Sequence, residues 1–256
     1  MRYKVEPDNI LKELGIYEPE NIDLDLIAFS LDAEVKYSSL DDCEGNIIGT
    51  DTKAIISINQ NARFERQRFS LGHELGHWIN DRQKNLSYRC SANDMNQRSL
   101  KKDDFKQNKE VRANHFSADL LMPNYIYQKY LIDKSITFNT VKYLAEKFRV
   151  SLTSTAIRLV ETCELPCMLV CWGDNGKRNW FVRNSIVPES IWPCANIRLT
   201  GEFTDGIEVD SDKWINSDNA DEFTVTESYF SNSYAYFTLI WWKDESQLLG
   251  VQRAER

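Results

Sequence analysis

The sequence predicts an α+β protein in two parts, a mainly helical N-terminal part with a small β-sheet and a β-rich C-terminal part. Three observations carry this reading. Short β-branched segments give way near Ala62 to apolar residues at helical spacing. That helical stretch contains a His-Glu-x-x-His run at His73 to His77. Beyond Pro166 the pattern returns to short aromatic strands, and six of the seven tryptophans lie there. With 256 residues, 42% of them apolar, the chain is long enough to bury a core in each part.

Taken in order, Asp23 to Leu31 predicts a short amphipathic helix, with an acid at its start and apolar residues at 24, 27, 28 and 31. Glu34–Tyr37, Asn46–Gly49 and Ala54–Ile58 predict strands separated by turn-forming Asp, Gly and Thr residues. A helix over Ala62–Asn80 sets Phe64, Leu71, Leu75, Trp78 and Ile79 on one side. A helix over Asn108–Leu121 stops before Met122-Pro123, because a residue preceding proline is pushed out of the helical region. Residues 137–148 and 152–162 predict a helix-turn-helix-like pair. Strands at Cys167–Trp172 and Asn179–Arg183 flank the hairpin turn Gly173-Asp174-Asn175-Gly176-Lys177, and Ser233–Trp242 is a further strand region. The expected boundaries are 1–135, a helical segment 136–164, and a β-rich domain 165–256.

The N-terminus has no apolar signal-like run and no stretch reaches the roughly 18 apolar residues needed to cross a bilayer, so a soluble cytoplasmic protein with no membrane partner is expected. Six sparse cysteines fit reduced thiols. The net charge of -8 argues against a general nucleic-acid binder. Its distribution is uneven. Residues 202–227 hold nine acids and one base, whereas 82–112 hold nine bases and four acids and read as a long exposed loop. The helix-turn-helix-like pair has few bases and includes Glu146 and Glu161, so it is expected to pack rather than read DNA.

Histidines at i and i+4 of a helix project from one face, so His73 and His77 can converge on one Zn²⁺. Glu74 lies beside that face, placed to take a proton rather than to bind metal, which gives it the general-base role. Leu71 and Leu75 lie about half a rotation away and anchor the opposite face. Chance does not explain the run: with three histidines in the chain, it should arise about 0.003 times in such a composition. A catalytic zinc site needs a third protein ligand and an open position. His115 is one candidate. Glu110 is favoured, because Glu110 and Asn114 share a helix face and Asn114 can then orient a ligand histidine. Cys90 reads as an ordinary thiol, with an inhibitory fourth zinc ligand as the alternative. Cys163, Cys167 and Cys171 read as packing residues. Tyr88, Arg89 and His115 suit oxyanion stabilisation by residue type alone.

The run Arg68-Phe69-Ser70-Leu71-Gly72-His73-Glu74-Leu75-Gly76-His77, followed by Glu110-Val111-Arg112-Ala113-Asn114-His115-Phe116-Ser117-Ala118-Asp119-Leu120-Leu121-Met122-Pro123, resembles the ImmA/IrrE family of metallopeptidases. Gly72 stands where alanine is commoner, and the link from His77 to Glu110 is long. The resemblance covers about 20–162. It implies a zincin-like fold, a gluzincin-like zinc site with Glu110 as third ligand, and a zinc metalloendopeptidase. It further implies cleavage of a helix-turn-helix repressor, which would derepress phage, mobile-element or stress genes. The rival reading is a non-proteolytic regulatory or binding module whose zinc site is structural or vestigial.

Overall fold

A computed structural model of the chain describes residues 6–81, 86–91, 109–198, 204–217, 220–231 and 235–253. They form an α+β fold with two sheets. The chain divides into two compact units, one of Met1–Ile132 with Glu146–Ser151, the other of Asp133–Ala145 with Leu152–Arg256. Helices at 138–145 and 152–162 thus group with the β-rich half.

In the first unit, α1 (Pro7–Glu13) starts on a proline, whose missing N–H costs nothing in a first turn. Helix α2 (Leu24–Ser30) is capped by Asp23, whose carboxylate accepts from the backbone N–H of Asp25 and Leu26. Strands β1 (Ala33–Ser38), β2 (Gly45–Gly49), β3 (Ala54–Asn59) and β4 (Leu86–Cys90) form a mixed sheet in the order β1-β3-β2-β4. Strands β1 and β3 run parallel, while β2 runs antiparallel to both its neighbours. Alternation decides the faces: Ile47, Ile56 and Ile58 are buried, and Ile48 and Ile55 are exposed.

Strand β4 corrects the expectation of an unbroken exposed loop over 82–112. Leu86–Cys90 pairs with β2, Ile47 opposite Tyr88 and Gly45 opposite Cys90. Lys109 onward belongs to a helix, α4 (Lys109–Leu121). Residues 82–85 and 92–108 of the basic segment lie outside the described residues.

Helix α3 (Phe64–Asp81) packs against α4, the sheet and α2. Two ties fix its ends. Arg68 donates to the Ile22 carbonyl, and the Trp78 indole donates to the Leu31 carbonyl. Every residue from Ser70 to Trp78 is buried, so the site face is covered as fully as the Leu71 and Leu75 face. Amphipathic reasoning expected one anchored side; Phe64 is in fact exposed. Helix α5 (Asn124–Leu131), which periodicity did not reveal, follows Pro123 and buries Ile126 and Tyr127.

Helix α6 (Phe138–Phe148) leads on to α7 (Leu152–Thr162). In the second unit five antiparallel strands, β5 (Cys167–Trp172), β6 (Arg178–Arg183), β7 (Thr204–Asp210), β8 (Thr224–Ser231) and β9 (Tyr236–Trp241), run in the order β6-β5-β9-β8-β7. Every residue of β5 is buried, and Trp172, Trp214 and Trp242 anchor the core on which the final helix, α8 (Glu245–Arg253), places Leu248. The acidic 202–227 segment therefore supplies strand: Glu227 is buried, paired with Lys213 and hydrogen-bonded by the Trp214 indole at 2.5 Å. No helix among the described residues is long and apolar enough to cross a membrane. None of the six cysteines is in a disulfide.

Candidate metal centre

Helices α3 and α4 cross at small residues. A Cβ on Gly76 would lie 2.9 Å from the Ala113 backbone, and one on Gly72 would lie 2.6 Å from Ser117 Oγ. At Gly76, where the neighbour is backbone, only glycine allows this approach. It brings Glu110 and Asn114, one turn apart on α4, onto the histidine face of α3.

There, His73 Nε2 and His77 Nε2 are 3.0 Å apart, and Glu110 Oε2 lies 3.1 Å from the first and 3.3 Å from the second. Cys90, at the end of β4, puts Sγ 3.7 Å from His77 Nε2 and 3.9 Å from Glu110 Oε2. The four ligand atoms lie within 4.8 Å of one another. Asn114 Oδ1 lies 2.8 Å from His73 Nδ1, so that nitrogen carries the proton and donates it. His73 Nε2 consequently presents a lone pair to the cluster.

Lone pairs on nitrogen, oxygen and sulfur converging in a buried site repel unless a cation sits among them. The spacings suit one. Tetrahedral bonds of about 2.0–2.1 Å to nitrogen and oxygen set ligand atoms about 3.3 Å apart, and a longer bond to sulfur raises that edge to about 3.6 Å. The donor set can hold a metal ion.

Glu74 lies against this group, wholly buried, with neither carboxylate oxygen hydrogen-bonded to a described residue at normal geometry. Burial pushes its carboxyl up to about 8, moderated by the neighbouring Cys90 thiol and reinforced by the charge of Glu110. Burial would also raise Glu110, but hydrogen bonds and charge from the two histidines outweigh it and hold that carboxyl well below the usual range. Burial lowers His73, against the pull of Glu110, which favours the neutral imidazole that ligates metals.

The family model for the IrrE N-terminal-like domain, Peptidase_M78, matches residues 20–160, more than half of the chain. The chain belongs to the M78 peptidase family. Peptidases of this family are metal-dependent, in keeping with the donor set. A solved structure described as a Mycobacterium tuberculosis transcriptional regulator is similar in fold, with a TM-score of 0.51 and 12% identity over 92% of this chain and 85% of that one. No curated protein matches the sequence.

The structure thus brings together His73, Glu74, His77, Glu110 and Asn114, all singled out from sequence. His115 points to solvent and is not in the group. Arg89 is exposed and donates to the Asp41 carbonyl. Tyr88 is closer to the chemistry, its ring stacked on His77 at 4.8 Å. Sequence reasoning set Cys90 aside as an ordinary thiol; the missed signal was the alternation of Leu86–Cys90, five residues in an otherwise polar stretch.

Proposed function

We propose that this M78 peptidase is a zinc-dependent endopeptidase that cleaves a helix-turn-helix transcriptional repressor. The observation that carries the peptidase reading is Glu74, a wholly buried carboxyl beside four convergent ligand atoms, with the Cys90 thiol against it. Burying such a group costs several kcal/mol, a cost that a purely structural site does not require.

In this reading His73, His77 and Glu110 hold zinc, and Asn114 fixes the His73 tautomer and ring orientation. Zinc supplies Lewis acidity, polarising a peptide carbonyl and acidifying water. Glu74 takes a proton from the attacking water and returns it to the departing amine nitrogen. Tyr88, packed on the His77 ring, steadies that ligand. The repressor as substrate rests on the motif resemblance; the transcriptional regulator of similar fold is in keeping with it.

One observation favours the rival reading. Cys90 makes the group four protein ligands, the number a structural zinc site uses. The test is Glu74→Gln with zinc content measured beside cleavage of a helix-turn-helix repressor encoded next to this gene. Loss of cleavage with zinc retained supports the peptidase. Equal cleavage by the variant overturns it.

A further inference from the structure

The geometry points to Cys90 as a fourth protein ligand that closes the metal centre in the resting chain, making this a latent peptidase opened by release of one sulfur atom. This inference rests on the metallopeptidase reading above and concerns the regulation of the same site.

Cys90 differs from the other buried thiols in its surroundings. Cys167 lies in a wholly buried strand and donates to the Val160 carbonyl. Cys90 faces an imidazole, a carboxylate of Glu110, and Glu74. Its sulfur-to-ligand separations of 3.7 and 3.9 Å approach the edge of about 3.6 Å expected for nitrogen or oxygen and sulfur on one tetrahedral ion. The three spacings among His73, His77 and Glu110, 3.0 to 3.3 Å, match the nitrogen and oxygen edges, and the sixth separation, Cys90 Sγ to His73 Nε2, lies within 4.8 Å. A second observation points to the same place: the wholly buried side chain of Glu74 lies against that thiol, and neither of its oxygens finds a partner of good geometry.

The backbone aims the sulfur. The Cys90 carbonyl accepts from Glu44 N–H at 3.1 Å and from Cys43 Sγ at 3.4 Å, and Cys90 stands opposite Gly45 in the β2 ladder. Among the described residues its strand lies at the sheet edge, paired with β2. Metal uptake replaces the thiol proton, which leaves to solvent, so sulfur binds as thiolate. A metal bound by two histidines, Glu110 and Cys90 has four protein ligands and no open position. Withdrawing Cys90 leaves three, which is the catalytic count.

The test uses the full-length chain, stripped with chelator and reloaded with one equivalent of Zn²⁺ or Co²⁺. X-ray absorption of the zinc form should show one sulfur at about 2.3 Å. The cobalt form should show thiolate charge-transfer absorption. Both signals should vanish in Cys90→Ala and Cys90→Ser, with metal still bound at one per chain. Acetohydroxamate, a chelating probe that needs free coordination positions, should shift the cobalt spectrum of either variant and leave the parent unmoved. A parent chain that binds one metal without sulfur, or whose spectrum responds to acetohydroxamate as the variants do, overturns latency and leaves the peptidase reading standing. A parent chain that binds no metal overturns both.

Discussion

Substituting Gly72 with alanine would ordinarily stabilise a helix by about 1 kcal/mol. Here it should destabilise. The new Cβ would lie 2.6 Å from Ser117 Oγ, 3.2 Å from Ser117 Cβ and 3.3 Å from Ser117 Cα. The hydroxyl cannot stay, and leaving means losing its 2.8 Å bond to the Phe69 carbonyl, worth about 1 kcal/mol. A fully buried hydroxyl without a partner costs about 1–3 kcal/mol more, and crowding of the α4 backbone adds about 1 kcal/mol. Set against the propensity gain, Gly72→Ala should lose about 2–4 kcal/mol. Ser117→Ala alone should lose about 1 kcal/mol. The double variant removes the clashing hydroxyl and keeps the propensity gain, while the crowding at the Ser117 Cβ and backbone stays, so it should lose only about 1 kcal/mol, a coupling of about 2–4 kcal/mol. Urea titration of the metal-free chain, followed by helical circular dichroism, reads this directly, since six of the seven tryptophans lie beyond residue 165 and fluorescence would weight them. Additivity within about 0.5 kcal/mol, or a Gly72→Ala variant more stable than the parent, would refute the close-approach argument.

Gly76→Ala meets backbone rather than a side-chain tip, so no second substitution relieves it. It should cost about 1–3 kcal/mol and, by shifting the helix that carries Glu110, lower metal affinity; a stability loss with unchanged affinity would break that link. Asn114→Ala frees the His73 ring and should weaken metal binding about 10- to 100-fold in a chelator competition, with equal affinity counting against the orienting role. Chelation should lower the thermal midpoint, because metal at a hundred times its dissociation constant adds about 2.7 kcal/mol; a calorimetric trace indifferent to chelator would argue that the site does not bind metal in the native state. In the second unit, Lys213→Met strands the buried Glu227 carboxylate and should cost about 1–3 kcal/mol after allowing for the partly exposed lysine, whereas a midpoint unchanged in urea would mean that solvent or the Trp214 indole suffices.

Much of the site was legible because its spacing lies within single helices. His73 and His77 are one turn apart on α3, as are Glu110 and Asn114 on α4, and i to i+4 periodicity fixes which side chains share a face. The strands β1 to β3 were legible from β-branched alternation and turn residues, and the helix stop before Pro123 from the steric rule that governs it. Strands β7 and β8 were not. Acidic residues dominate their segment, and the compensation for Glu227 comes from Lys213 and Trp214. Helix α5 escaped because its eight residues are too few to set a period.

By itself, the sequence determined which residues could form a metal site and which helix faces present them, because local periodicity needs no partner. Tertiary structure alone decided how closely those faces meet and what else joins them. Gly72 paired with Ser117 is a contact across 45 residues, visible only when two helices touch. Cys90 reaches the ligands because a five-residue edge strand pairs with β2 and delivers its last side chain to the cluster. Pairing of Gly45 with Cys90, 45 residues apart, depends on register, and the local sequence leaves register open until both strands are in place.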